Sequence, residues 1–472
     1  MLPALKKHVK SLTHKAITGM QPVRKDLALE HWNVRRVGRD LALHGVNLSK
    51  LIDEFPTPLH VLDEQRLQDN VAACLKQESP EDWPVELFFS YKTTPVPAIL
   101  CLLRDLGAHA EVISEYELWL AIKLGIKPEN IIFNGPAKSK ASLEQAIELG
   151  ILSININQPE EIPRIREIAQ RLQKQARVSL RVVLPGCWSG QFGISVADQT
   201  ALHVYREALA IPEFKVVGLH CHHGHLMHDL DSWRSHVRDL LSFCEGLGQE
   251  LGFVPELIDF GGSIGIPSTR FLSKFEQRLG QTFAIEATPP NPEHMPGLSA
   301  FSAVVQSETQ ALFTKRGWPR PRIALELGRA VTGNAQMLLT RVMSTKAMKA
   351  PFTYGILDAG VNIASIVKSE FHQIFPLKDR DPAVHVPVTY RLTGPICHLG
   401  DVLYQAWRLP QLQAGDGLAI MDSGAYFIAD ANSFSFPQPG VVAINRAGAV
   451  RIIRRPESYQ DLVALDDCSL SL

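Results

Sequence analysis

From about residue 62 the chain alternates short apolar runs with amphipathic stretches of helical period, regularly enough to predict its elements one by one. Val85–Tyr91 reads as a buried strand, Val96–Leu106 as a helix, Ala110–Ile113 as a second strand and Glu115–Leu124 as the next helix. Ile131–Phe133, Leu152–Ile154, Val178–Val183, Val216–His222, Leu257–Phe260 and Arg322–Leu325 bring the strands to eight. Strands separated by helices predict a parallel sheet. Eight of them predict a closed (β/α)8 barrel over 62–335, with an open doubly wound sheet as the competing arrangement.

The rhythm breaks at 264–320, where Pro267, Pro289, Pro290, Pro292 and Pro296 interrupt long polar stretches. That region reads as an insertion holding a helix or two. After about residue 335, Met337–Met343, Val386–Leu392, Gly417–Asp422, Val441–Asn445 and Val450–Arg454 follow one another as strands without helices between them. A mostly β domain, built from 26–61 and 336–472, is therefore expected beside the barrel.

Composition narrows the functional classes. At 472 residues the chain has room for two domains, and its net charge of -1 offers no basic field for nucleic acid. Seven cysteines without a CxxC pair argue against a disulfide framework and fit a reducing, cytoplasmic setting. No apolar run reaches the ~20 residues of a membrane span. Residues 1–25 form a basic amphipathic extension, with Lys6, Lys7, Lys10 and Lys15 set among Leu2, Leu5, Val9 and Leu12. Lacking the apolar core of a secretory signal, the extension reads as a surface or docking helix.

Catalytic groups of a barrel gather at the C-terminal ends of its strands. There the sequence places Lys92, after Phe88-Phe89-Ser90-Tyr91, where partial desolvation would favour the neutral, imine-forming amine. Gly261-Gly262-Ser263 follows a strand and suits backbone contact with a phosphate. Glu326-Leu327-Gly328-Arg329 adds an acid able to hold a heteroaromatic nitrogen protonated, and an arginine with bidentate geometry. His220 and His222 alternate and would share a strand face, with His223, His225 and His228 beyond. That cluster could be half of a metal site in a hydrolase, or one imidazole could stack on a cofactor ring. Strand ends bearing Lys92, Arg181 and Glu326 favour the cofactor, and no metal is expected.

The ordered set of motifs over about 55–460 resembles the fold-type III pyridoxal-phosphate decarboxylases, which include the diaminopimelate, ornithine and arginine enzymes. The resemblance implies pyridoxal 5'-phosphate as cofactor, an alanine-racemase-like barrel and β domain, and a homodimer with shared active sites. Lys92 stands at the family's Schiff-base lysine, and Glu111 stands where an aspartate is usual. Arg181 and Phe192-Gly193-Ile194 match a strand arginine and a Phe-Gly-Ile element. By the same resemblance His222 stacks on the pyridine ring, Glu326 pairs with its nitrogen, and Gly261, Gly262, Ser263, His225, Gly328, Arg329 and Tyr426 meet the phosphate. Cys397 stands at the cysteine presented across the dimer interface, where it would protonate the substrate carbon after carbon dioxide leaves.

Departures from the pattern bear on the substrate. Diaminopimelate enzymes carry an Arg-Pro and a tyrosine after their Asp-Ala-Gly element, and a Cys-Glu-Ser before the aspartate. Counting on from Asp358, this chain has Ile366, Val367 and Glu370, and then His398 and Leu399 ahead of Asp401. An arginine for a distal carboxylate is missing. The expected activity is decarboxylation of an amino acid or a derivative other than diaminopimelate, with Arg181, Glu370, His398 and Asp401 as substrate-side candidates. A racemase or epimerase, a metal-dependent hydrolase built on His220 and His222, and a catalytically silent partner-binding homologue are the alternatives.

Overall fold

A computed structural model describes residues 25–347, 352–380 and 386–466. The basic extension lies outside the described residues except for Lys25. The chain divides into two compact units. One runs through Leu67 and adds Pro267–Pro292 and everything from Thr332 on; the other comprises Gln68–Ile266 and Glu293–Val331.

Three short strands, β1 (Val34–Val37), β2 (Asp40–Leu43) and β3 (Val46–Asn47), open the first unit as an antiparallel sheet. β4 (Leu59–Asp63) follows, buried at every residue.

The second unit is a parallel ring. Its strands are β5 (Val85–Ser90), β6 (His109–Val112), β7 (Ile131–Phe133), β8 (Ser153–Ile156), β9 (Ala176–Val183), β10 (Ile194–Ser195), β11 (Phe214–His220), β12 (Leu257–Asp259) and β13 (Arg322–Leu325). β5 pairs with β6, and pairing continues through β7, β8, β9, β11, β12 and β13 back to β5. Eight strands thus close a barrel, and β10 is a short parallel addition beside β9. Phe88, Ile132, Leu152, Leu257 and Ala324 meet in its interior, so the barrel is packed at that level. Polar side chains start the outer helices: Ser114 accepts from Glu117 N, Ser139 from Ser142 N, and Asp229 from Asp231 and Ser232 N.

The remaining strands belong to the first unit: β14 (Gln336–Lys346), β15 (Thr353–Leu357), β16 (Ile374–Pro376), β17 (Val388–Thr393), β18 (Val402–Leu409), β19 (Gly417–Met421), β20 (Gly440–Ile444) and β21 (Val450–Arg454). The long β14 is their hub, antiparallel to β4, β15 and β19. β4 also runs parallel to β20, which ties the start of the chain to its last strands. Residues 267–292, read above as part of an insertion in the barrel, group instead with this β unit. There Leu272 and Ala287 pack on its core.

Candidate active site

β5 ends at Ser90, and a 3-10 turn, Tyr91–Thr93, carries Lys92 over the C-terminal mouth of the barrel. The amine is not simply desolvated, as the sequence suggested. Lys92 Nζ donates to Ser90 Oγ and to Glu111 Oε2, each at 2.7 Å. Glu111, at the end of β6, is fully buried and also accepts from the Ser90 hydroxyl. Burial pushes its carboxyl up, but the Lys92 charge and the hydrogen bonds from Lys92, Ser90 and Asn134 outweigh burial and leave it below the ordinary range.

Asn134 extends this network across the barrel. Its Nδ2 donates to Glu111 Oε1 at 3.0 Å and to Glu326 Oε1 at 2.5 Å, and its Oδ1 accepts from Asn155 Nδ2 at 2.8 Å. Glu326 follows β13; burial, then Asp259, holds its carboxyl well above the usual carboxylate range. Asp259, the last residue of β12, is pushed up to about 7 by burial. His220 Nδ1 lies 2.8 Å from Asp259 Oδ2 and 3.6 Å from Glu326 Oε2, and burial lowers the imidazole to about 4. Among the described residues this trio could hold a metal. Of its members Glu326 accepts from Asn134, while among the described residues His220 Nδ1 and Asp259 Oδ2 make no hydrogen bond, and the strand ends around the trio carry a lysine and an arginine rather than further histidines.

Arg181, on β9, stacks over the Phe192 ring at 4.5 Å and is attracted by Glu326 and Glu111. β11 stops at His220, so His222 does not share a strand face with it, a correction to the periodic reading. His222 lies in the following loop, where its Nδ1 accepts from Gly262 N at 3.2 Å; burial, then Arg181, holds it well below the ordinary imidazole value.

The glycine segment has the shape expected for close approach. Gly261 takes φ +67°, and a Cβ on Gly262 would run into the Glu326 carbonyl. A Cβ on Gly328 would strike Thr93 in the same way. Ser263 Oγ accepts from Gly224 N at 3.0 Å, and Arg329 is buried just after Gly328. His225 is exposed, edge-on to Trp188 at 4.4 Å. A bare backbone cradle, a buried arginine, a buried acid and a lysine at the mouth of one barrel fit pyridoxal 5'-phosphate in kind and in place.

Cys397, His398, Glu370, Asp401 and Tyr426 belong to the β unit. Cys397 and His398 are exposed at the tip of the loop after β17. Asp401 is buried and shapes that loop, accepting from Val361 N at 2.8 Å and Ile396 N at 3.0 Å. Glu370 is buried, with Oε2 3.6 Å from His372 Nε2. Tyr426 takes φ +67°. Sequence reasoning missed Asn134, the structural part of Asp259, and Trp188. A polar side chain directly after an apolar strand, for Asn134, or as its last residue, for Asp259, was the available signal for the first two.

Comparison with known proteins agrees with this geometry. Residues 66–333 match the family described as pyridoxal-dependent decarboxylase, pyridoxal binding domain. The chain is 28% identical over 438 residues to a diaminopimelate decarboxylase of Aquifex aeolicus, covering 90% of this chain and 95% of that protein. The crystal structure of diaminopimelate decarboxylase from M. jannaschii in complex with L-lysine superposes with a TM-score of 0.79 at 26% identity, covering 92% and 98% of the two chains. A lysine/ornithine decarboxylase from Vibrio vulnificus, solved with putrescine, shares the fold with a TM-score of 0.67 at 19% identity, covering 84% of this chain and 97% of that one.

Proposed function

The chain belongs to the pyridoxal-dependent decarboxylases, and from that premise we propose that it decarboxylates an amino acid or amino-acid-derived metabolite other than diaminopimelate, with Lys92 as the covalent anchor of the cofactor. The observation that carries this reading is the hydrogen-bonded line from the half-exposed Lys92 through the buried Glu111, Asn134 and Glu326 across the barrel mouth. Pyridoxal 5'-phosphate, when bound, supplies an electron-withdrawing ring that takes up the electrons left as carbon dioxide departs.

The chain's own residues do the rest. Glu111 Oε2, 2.7 Å from Nζ, is placed to accept the proton that Lys92 must release before its nitrogen can bond. Glu326 is buried with its carboxyl raised by burial and then by Asp259, and a protonated ring nitrogen set against it would favour its ionised form. Asn134 fixes the direction of both carboxyls, and His220 Nδ1 lies 3.6 Å from Glu326 Oε2. His222, held neutral, offers a flat face without adding charge. Gly261, Gly262, Gly328 and Arg329 would hold the phosphate, with Ser263, His225 and Tyr426 as further contacts. Cys397 would return a proton to the substrate carbon from the β unit of a second subunit, whose parts 26–61 and 336–472 would complete the site.

The substrate reading rests on side chains. Ile366, Val367, His398 and Leu399 provide no guanidinium for a distal carboxylate, and Glu370 brings an acid where a cationic or differently shaped group would fit. Carbon dioxide release measured across a panel of diaminopimelate, lysine, ornithine, arginine and larger amine-bearing metabolites tests this. Release from a substrate other than diaminopimelate is expected. Preferential turnover of diaminopimelate, or loss of optical rotation without carbon dioxide, would overturn it.

A further inference from the structure

Cys187 and Cys221 are 34 positions apart and form no CxxC pair, yet the barrel unit brings them together with a third donor. Cys187 lies in the loop after β9, Cys221 directly follows β11, and His236 is on the helix Leu230–Leu251. The two sulfurs are 3.8 Å apart, and Cys187 Sγ is 3.7 Å from His236 Nδ1. All three donor atoms lie within 4.8 Å of one another.

These separations are those of a coordination polyhedron. With bonds of about 2.3 Å to sulfur and about 2.0–2.1 Å to nitrogen, the edges of a tetrahedron are about 3.8 Å between sulfurs and about 3.6 Å from sulfur to nitrogen. A disulfide requires sulfurs at about 2.0 Å and has no use for a converging imidazole. Cys221 and His236 are buried, while Cys187 is half-buried and leaves one side of the cluster reachable. His223 borders that side, its ring 5.2 Å from that of His236, and its carbonyl accepts from Trp188 N at 2.8 Å, which ties the Cys187 loop to the 221–225 segment.

We propose that Cys187, Cys221 and His236 bind one zinc ion, separate from the Lys92 site, with a fourth position open to water. Two thiols release their protons to solvent on binding, so the cation meets two thiolates and a neutral imidazole and the site is uncharged. Because Cys221 stands between His220 and His222, the ion locks the backbone that presents both imidazoles.

Full-length enzyme loaded with cofactor, stripped with a chelator and given one equivalent of zinc tests this by metal analysis and X-ray absorption. Retention of about one zinc per chain with two sulfur scatterers is expected. Cys187→Ser and His236→Asn should each weaken retention against a chromophoric chelator by about tenfold or more while the cofactor absorbance persists. Cys187→Ser lies on the more accessible loop and serves if the buried substitution prevents folding. Zinc bound through nitrogen and oxygen alone, retention unchanged in the variants, or a Cys187–Cys221 disulfide in place of metal would each overturn the proposal.

Discussion

Asn134 is the residue whose role is easiest to isolate, because one amide nitrogen donates to two acids that otherwise share a barrel mouth. Asn134→Leu leaves both buried carboxyls short of a donor, a loss of about 1–3 kcal/mol. Cofactor affinity should therefore weaken by about tenfold or more, measured by absorbance titration. Unchanged affinity would mean that Asn134 does not orient Glu326. Lys92, Glu326 and Arg329 were legible in the sequence because ionisable side chains directly after apolar strands are unusual. Asn134 was not, since asparagine followed by Gly135 reads equally as an ordinary turn. Nor could any local pattern show that Glu111 and Glu326, more than 200 positions apart, share its amide. Only closure of the barrel brings them together.

Among the elements, the seam between β5 and β13 closes the barrel and carries its own charge lock. Glu86 on β5 accepts from Arg322 on β13 and lies 3.1 Å from His109 Nε2. Burial alone would raise the Glu86 carboxyl, but the hydrogen bonds from His109 and Arg322 bring it down to about 2. A carboxyl depressed in the folded state contributes stability above its unfolded pKa of about 4.5, and that contribution is lost as pH falls through about 2. Glu86→Gln should cost about 1–3 kcal/mol in urea unfolding at neutral pH, with the difference from the parent shrinking toward pH 2. A difference independent of pH would show that the seam is held by packing alone. The barrel strands were readable because each is a short apolar run set off by a helix. β1–β3, β15 and β16 were not picked out because runs of two to five residues carry little periodic signal, and β18 because its burial does not alternate. β4 was missed for another reason: its partners, β14 and β20, lie hundreds of residues further on.

For the whole molecule, the reading requires two copies of the chain. Cys397, His398 and Leu399 project from the β unit as exposed residues, the disposition expected of a loop offered to another subunit. Inactive Lys92→Ala and Cys397→Ala chains, mixed and allowed to exchange, should recover roughly a quarter of the parent activity if each site draws on both subunits of a twofold dimer. No recovery would place each site within one chain. Among the described residues no helix is long and apolar enough to cross a membrane. The account as a whole depends on which nitrogen holds the cofactor, and reductive trapping with borohydride followed by peptide mass spectrometry reads that directly. A phosphopyridoxyl adduct on Lys92, lost in Lys92→Ala, is the predicted result; an adduct on another lysine, or none on protein supplied with the cofactor, would contradict it.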